Sequence, residues 1–425
     1  MIYLYHLLSL FIAILLVPLF SITALFSQHK WKELANHFGW VPKSPCKKIL
    51  WLHALSMGEV MAITPALRDV RKQNPKLHIA LSVTTDSGYA AAIKMNIVDS
   101  VFFHPLDCLP FTQLALSRIK PDLYIVIDTG FWPGLIDLLH KKHISIFLFN
   151  GRISARSARL YFIGGPLFKE TFKKFHRLGM QSRNGEKVAQ MLGVDRARIE
   201  VMGDPKYDSH QTQNGGEKEE LRKIFKLEKE TPVWIAGSTH PGEEEVVLDA
   251  HQQLKADHPS LVFILAPRRI ERIEEVVKLL KKKNISFALR SSLGLEQAKN
   301  VILLDTMGEL AEVYSLGQVA FVGKSLIKPG GGHSLIEPLR KGLPVMHGPF
   351  IENIYHVADK AQELGLALPV KNSEDIKEKV QSLLGNESYR QKLQKKACSF
   401  ITDQQGASKK MAYIITESLK PDHSS

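Results

Sequence analysis

Six stretches of this chain carry residues whose types and spacing suit chemistry. In "WLHALSMGEVMAI", Trp51–Ile63, an apolar run breaks at Ser56-Met57-Gly58 and Glu59 follows at once. A carboxylate in the first turn of a helix sits at the positive end of the helix dipole. Such a Glu59 is either a dipole-matched surface residue or a general base for a hydroxyl. Gly58 permits a sharp turn and a close substrate. Lys206 in "GDPKYD" is either solvated or a cation for a phosphate or carboxylate. Gly237-Ser238-Thr239 in "GSTHPGEEE" offer amides and hydroxyls ahead of an acidic helix, an anion site or a plain cap. Pro267-Arg268 in "LAPRR" puts a planar guanidinium at a strand end, suited to phosphate. "DTMGEL" carries Met307, Gly308 and Glu309 at another strand-to-helix junction. "KPGGGHSLIEP" runs through three glycines and His333 to Ser334, Leu335, Ile336 and Glu337. That pattern suits a turn that cradles a nucleotide, with Glu337 accepting from both ribose hydroxyls.

The elements that must position these residues follow a strand–helix rhythm. "KKILWLHAL", "LHIALSVTT", "SVFFHPLD", "DLYIVID" and "ISIFLFN" are apolar runs of strand length, separated by helical stretches such as "CLPFTQLALSRI" and "WPGLIDLLHKK". Val60, Ile63, Leu67 and Val70 recur at helical spacing after Glu59. A polar stretch, 208–220, reads as an interdomain linker. The rhythm then restarts with "PVWIAGSTH", "EEEVVLDAHQQL", "LVFILAPRR", "VILLD", "VAFVG" and "LPVMHG". Alternation of this kind predicts parallel doubly wound sheets. The expected fold class is α/β with two Rossmann-like domains and a cleft between them, where ligands meet the carboxyl ends of strands. The boundaries are a membrane anchor helix at 1–27, a basic linker at 28–45, an N-terminal domain at 46–207, the linker at 208–220, a C-terminal domain at 221–405, and a C-terminal helix and tail at 406–425.

A chain of 425 residues exceeds one ordinary core and suits two domains. Cys46, Cys108 and Cys398 are few and far apart, which points to a reducing compartment and to neither a disulfide framework nor a metal pair. The net charge of +13 is a solvated surface or fits an anionic membrane surface or phosphorylated substrates. Its cations are scattered and not interleaved with aromatics, so no nucleic-acid partner is expected. Residues 1–27 contain no Asp, Glu, Lys or Arg. A run of about 20 apolar residues can span a bilayer. It lacks the cationic start and small-residue cleavage site of a signal peptide, so a retained single-pass anchor is expected. Lys30, Lys32, Lys47 and Lys48 follow it, which puts the body on the cytoplasmic side of the inner membrane.

Taken in order, "HALSMGEV", "NGRISARSAR", "GDPKYD", "GSTHPGEE", "DTMGEL" and "GGHSLIEP" resemble the signatures of the 3-deoxy-D-manno-octulosonic acid (Kdo) transferases. The resemblance covers nearly the whole chain. It implies an inverting GT-B glycosyltransferase with no metal or other cofactor at the sugar transfer. It implies transfer of Kdo from CMP-Kdo to a lipid A precursor, lipid IVA, in lipopolysaccharide synthesis at the inner membrane. By that resemblance Glu59 is the base and Lys206 stabilises the transition state. The CMP-binding residues are Pro267, Arg268, Met307, Gly308, Glu309, Ser334, Leu335, Ile336 and Glu337. An anionic, amphipathic acceptor suits a basic enzyme on an anchor.

Two positions depart from the family pattern. "DTGFWP" has Gly130 where the family has a second Glu, and the nucleotide turn has Ser334-Leu335 for Asn-Pro, with one extra glycine. Asp128 retains a carboxylate two residues earlier, and on a strand it would point to the opposite face. A related transferase using another CMP-activated acidic sugar or another acceptor, or a weakened paralogue, therefore stands beside the main reading.

Overall fold

Two seven-stranded sheets follow the two rhythms of the sequence. The computed structural model describes every residue except 25–27, 45, 129, 154–157, 160, 162, 209–214, 294–298 and 421–425, and leaves out the side chains of 16–29 and 215–217 as well. The chain divides into two compact units, Met1–His210 with Gln404–Ser425, and Gln211–Asp403.

The first unit contains β1 (Ile49–Ala54), β2 (His78–Val83), β3 (Ser100–Phe103), β4 (Leu123–Ile127), β5 (Ser145–Gly151), β6 (Arg177–Met180) and β7 (Ile199–Val201). Their order across the sheet is β3-β2-β1-β4-β5-β6-β7, all parallel. β1 is buried at every position because helices cover both faces, so its sequence is a continuous apolar run. Leu50, Leu52 and Ala54 face one layer, while Ile49 and Trp51 face the other.

The second unit contains β8 (Val233–Thr239), β9 (Val262–Pro267), β10 (Ala288–Leu289), β11 (Val301–Leu303), β12 (Val319–Val322), β13 (Val345–His347) and β14 (Ala367–Pro369). Their order is β10-β11-β9-β8-β12-β13-β14, again all parallel. The long apolar strands lie where the sequence puts them. β6, β7, β10 and β14 leave no such mark. They are two to four residues long and lie at the outer positions of their sheets, so pairing with a neighbour defines them rather than their own composition.

At the N-terminus α1 (Ile2–Ala24) is followed by α2 (Gln28–His37). Up to Leu15, α1 exposes Leu4, Leu7, Leu8, Phe11, Ile14 and Leu15. Its other face docks on the first unit, where the Tyr5 hydroxyl donates to Asp107 at 2.6 Å. The Asp107 carboxylate also accepts the N–H groups of Gly134 and Leu135, in the first turn of the helix Pro133–Lys141. Among the described residues, no helix is long and apolar enough to cross a membrane.

The chain returns to the first unit at its C-terminal end. The helix Ala407–Ser418 packs on α3 (Met57–Gln73), and its Met411, Ile414 and Ile415 share a buried layer with Val60, Ile63 and Leu67. Asp208 closes the 3₁₀ turn Pro205–Asp208 and accepts the N–H groups of Gly406 and Ser408, both at 2.6 Å. The stretch 208–220 therefore starts inside the first unit, and it ends in a helix, Gly215–Ile224. Asp208→Ala would strip two amides of their acceptor. It is expected to cost about 2–3 kcal/mol in urea unfolding and to speed hydrogen exchange across 407–418.

Candidate functional site

The first set of candidate residues lies at the carboxyl ends of neighbouring strands in the first unit. Ser56 has an extended backbone (φ −138°, ψ 167°), which lets the chain leave β1 and start α3 at Met57. Glu59, in the first turn of α3, reaches back toward the strand. The Leu55 N–H donates to its Oε2 at 2.5 Å, and Ser56 Oγ lies 3.5 Å from Oε1. Glu59 is half-buried, and its pKa is pushed up to about 7. Burial is the largest cause, the Leu55 hydrogen bond opposes it, and the charge of Asp128 adds to the rise. Ser56 and Arg152 pull it back. A carboxyl group that titrates near neutrality is matched to general-base work there.

Asp128 is not on a strand. It follows β4 with φ +66° and is 6% exposed, so strand alternation does not fix where its side chain points. Asp tolerates this left-handed conformation better than most residues. Arg152 Nη2, just past β5, is 3.4 Å from Asp128 Oδ2. Gly130 sits in a crowded spot, where a Cβ would lie 3.2 Å from the His53 ring and from Leu55 Cγ. Burial lowers the His53 pKa to about 3, so the ring is neutral. Its Nε2 accepts the Trp132 indole N–H at 2.8 Å, which leaves Nδ1 to donate toward Ser82. This contact closes the space around position 130. Lys206 is exposed on the turn Pro205–Asp208, which packs against α3, the helix of Glu59. The Lys206 N–H donates to Asp204 Oδ1 at 2.9 Å.

The second set lies at strand ends of the other unit. Ser238 takes a left-handed φ of +56° and Thr239 is fully buried. The acidic helix begins only at Glu243, after Gly242, so Gly237-Ser238-Thr239 end β8 and are not its first turn. Glu243 is fully buried and accepts four backbone N–H groups, from His240, Lys324, Ser325 and Leu326, at 2.7–2.9 Å. Glu244 pairs with Arg272 at 2.7 Å. Glu243 thus ties the β8 exit to the β12 exit. On that scaffold His240 Nε2 meets His333 Nε2 at 2.9 Å. Burial is the largest cause that lowers His333 to about 4, and the charge of the exposed Arg268 adds to it. Glu309 is fixed by Arg290 at 2.9 Å and by the Thr306 hydroxyl at 2.5 Å. Met307 is 85% exposed beside Gly308, whose φ is +85°. Leu335 and Ile336 turn their side chains into the core, so only their backbone can address a ligand. Ser334 accepts the Ile336 N–H at 3.3 Å, and Glu337 is exposed in the first turn of Ile336–Arg340. Pro267 ends β9.

Sequence reasoning did not single out Arg152 or Glu243. Arg152 lay within a quoted motif, and Glu243 had one signal, a buried-helix start directly after a glycine. Among the described residues, no group of three His, Cys, Asp or Glu side chains is placed to hold a metal ion. Glu243→Gln replaces one acceptor oxygen by a donor against backbone N–H groups. It is expected to cost about 2 kcal/mol, lowering the melting temperature by roughly 4–8 °C.

Residues 32–209 match the family model for 3-deoxy-D-manno-octulosonic-acid transferase (kdotransferase). The chain is 33% identical over 400 residues to the 3-deoxy-D-manno-octulosonic acid transferase of Haemophilus influenzae, covering 92% of each chain. It is 31% identical to a probable mitochondrial 3-deoxy-D-manno-octulosonic acid transferase of Arabidopsis thaliana, over 84% of this chain and 81% of that one. Its fold is similar to that of a glycosyltransferase from Rickettsia africae, with a TM-score of 0.58 at 13% identity, over 89% of this chain and 100% of that one. It is also similar to a UDP-GlcNAc 2-epimerase from Neisseria meningitidis, with a TM-score of 0.59 at 14% identity, over 88% and 99%. At those identities the two structures speak for the two-sheet GT-B fold alone. The near full-length relatives decide the family: this chain belongs to the 3-deoxy-D-manno-octulosonic acid transferases and is a glycosyltransferase.

Proposed function

We propose that the protein transfers Kdo from CMP-Kdo to the anionic lipid A precursor, lipid IVA, with inversion. The observation that carries this reading is Glu59, a half-buried carboxyl with its pKa pushed up to about 7 at the end of β1, in a chain of this family. Glu59 takes the proton of the acceptor hydroxyl. The freed oxygen attacks the anomeric carbon of Kdo from the side opposite CMP. The bond from that carbon to the phosphate oxygen breaks, and its electron pair leaves with CMP. Arg268 and Lys206 offer positive charge to the phosphate and the reacting carboxylate. The second unit's turn at Ser334–Glu337, with Met307, Gly308, Glu309 and Pro267, holds the nucleotide. Leu335 and Ile336 serve through backbone groups, and Glu337 through its exposed carboxylate.

α1 holds the enzyme at the inner membrane, with the two units on the cytoplasmic side. Its uncharged sequence and the exposed apolar residues from Leu4 to Leu15 support this. The crowded Gly130 favours a second reading, a transferase with another CMP-activated acidic sugar or another acceptor.

Glu59→Gln separates these claims from a structural role. It is expected to lower transfer by about 10²–10⁴-fold, read as CMP release and as the mass of the lipid product. Its stability should not fall. A carboxyl raised in the folded state contributes stability that is lost as pH rises from its ordinary value of 4.5 to about 7. Above that range the charged form is a burden that Gln removes, so the melting temperature of Glu59→Gln at pH 8 should equal or exceed that of the parent. If wild-type protein released no CMP and gave no Kdo-sized mass gain with CMP-Kdo and lipid IVA, the second reading would take over.

A further inference from the structure

Three adjacent strands of the first sheet end in three charged groups. β1, β4 and β5 are neighbours in that order, with His53 beside Val126 and Ile127 beside Phe149. Glu59 follows β1, Asp128 follows β4 and Arg152 follows β5. The Asp128 N–H donates to the Phe149 carbonyl at 2.9 Å, which extends the β4–β5 ladder by one bond before the chain turns away at φ +66°. Its carboxylate is thereby kept at the middle strand end, 6% exposed, with Arg152 at 3.4 Å. The Leu55 N–H holds Glu59 on the other side.

We propose that Asp128 is a positioning residue of the transfer site: from the strand end between those of Glu59 and Arg152, its carboxylate pins Arg152 at the edge where Glu59 meets the acceptor hydroxyl. This rests on the reading of Glu59 as the base. A base must hold a proton well to take one, and a neighbouring negative charge strengthens that hold. Arg152 offsets part of the effect and brings a cation to an anionic acceptor. Position 130 has no room for a third carboxylate without displacing His53 or Leu55, so Asp128 is the carboxylate that this loop provides.

Other charges lie on the elements packed around Glu59. They are Asp86 and Lys94 on the helix Asp86–Met95, Asp204, Lys206 and Asp208 at the 3₁₀ turn, and Lys409, Lys410 and Glu417 on or beside the C-terminal helix. Burial, then the charge of Asp128, raise the pKa of Tyr161. The charge of Asp128 raises the pKa of Glu59 and that of Arg152 lowers it.

The test is the pH profile of kcat/KM for the full-length chain in detergent, with CMP-Kdo and lipid IVA. Asp128→Asn keeps the size of the side chain and tolerates left-handed backbone. Its acid limb is expected to move down by roughly 0.5–1 pH unit, with a lower plateau. Arg152→Gln should move the limb up. Asp128→Glu, which keeps the charge, should restore it toward the parent value. A role confined to folding would lower activity without moving the limbs in opposite senses. If Asp128→Asn has too little activity to profile, Arg152→Gln reads the same coupling from the other side. An unmoved limb in both, or a downward move in Arg152→Gln, overturns the proposal. If these limbs stay fixed while Glu59→Gln is inactive, only the role of Asp128 fails. An active Glu59→Gln removes the reading beneath it.

Discussion

Parallel pairing of neighbouring strands is the constraint on which both sets of candidate residues depend. It sets the carboxyl ends of adjacent strands along one edge, about 4.8 Å apart. In the first sheet that edge presents Glu59, Asp128 and Arg152 after β1, β4 and β5. In the second, the order β11-β9-β8-β12 presents Glu309, Arg268, His240 and the loop of Lys324. A slip of one residue in any pairing would send each strand's side chains to the opposite faces, so burial of both faces locks the register and with it the site.

Buried carboxylates then fix what the strand ends leave loose. Asp107 joins α1 to the start of the helix Pro133–Lys141, Asp208 joins the C-terminal helix to the turn of Lys206, and Glu243 joins two loops of the second unit. Each has its oxygens filled by protein donors. Glu59 is built differently. It receives one backbone N–H, a long contact from Ser56 and the nearby charge of Asp128, and it keeps capacity to accept a substrate proton. In the proposed function the same residue type thus serves as staple or as base according to how many donors surround it.

Much of this was legible in the sequence because parallel strands buried on both faces are written as continuous apolar runs. "KKILWLHAL" and "VAFVG" announce themselves, and so do the strand-end motifs that follow such runs. The four short strands were not legible, since β10 is only Ala288–Leu289 and exists through pairing with β11. Glu59 and Arg268 stood out by type and place, and Glu309 by the family resemblance. The burial of Leu335 and Ile336 was not, because a turn of that composition reads equally well with its side chains outward. The place of Asp128 needed the backbone: strand alternation pointed it away, and a single left-handed residue at the end of β4 undid that expectation. The buried helix start at Glu243 was hidden for a related reason, since three successive acids look solvent-facing until two of them prove buried.

The central claim is that Glu59 is a base tuned by burial and by its strand-end neighbours. The acid limb of kcat/KM for the wild-type enzyme tests it most directly, measured from pH 5 to 9 with CMP-Kdo and lipid IVA. The account predicts that the rate falls as pH drops through about 7, where the raised carboxyl of Glu59 takes up its proton. A rate that stays flat down to the ordinary carboxylate range, near 4.5, would contradict it.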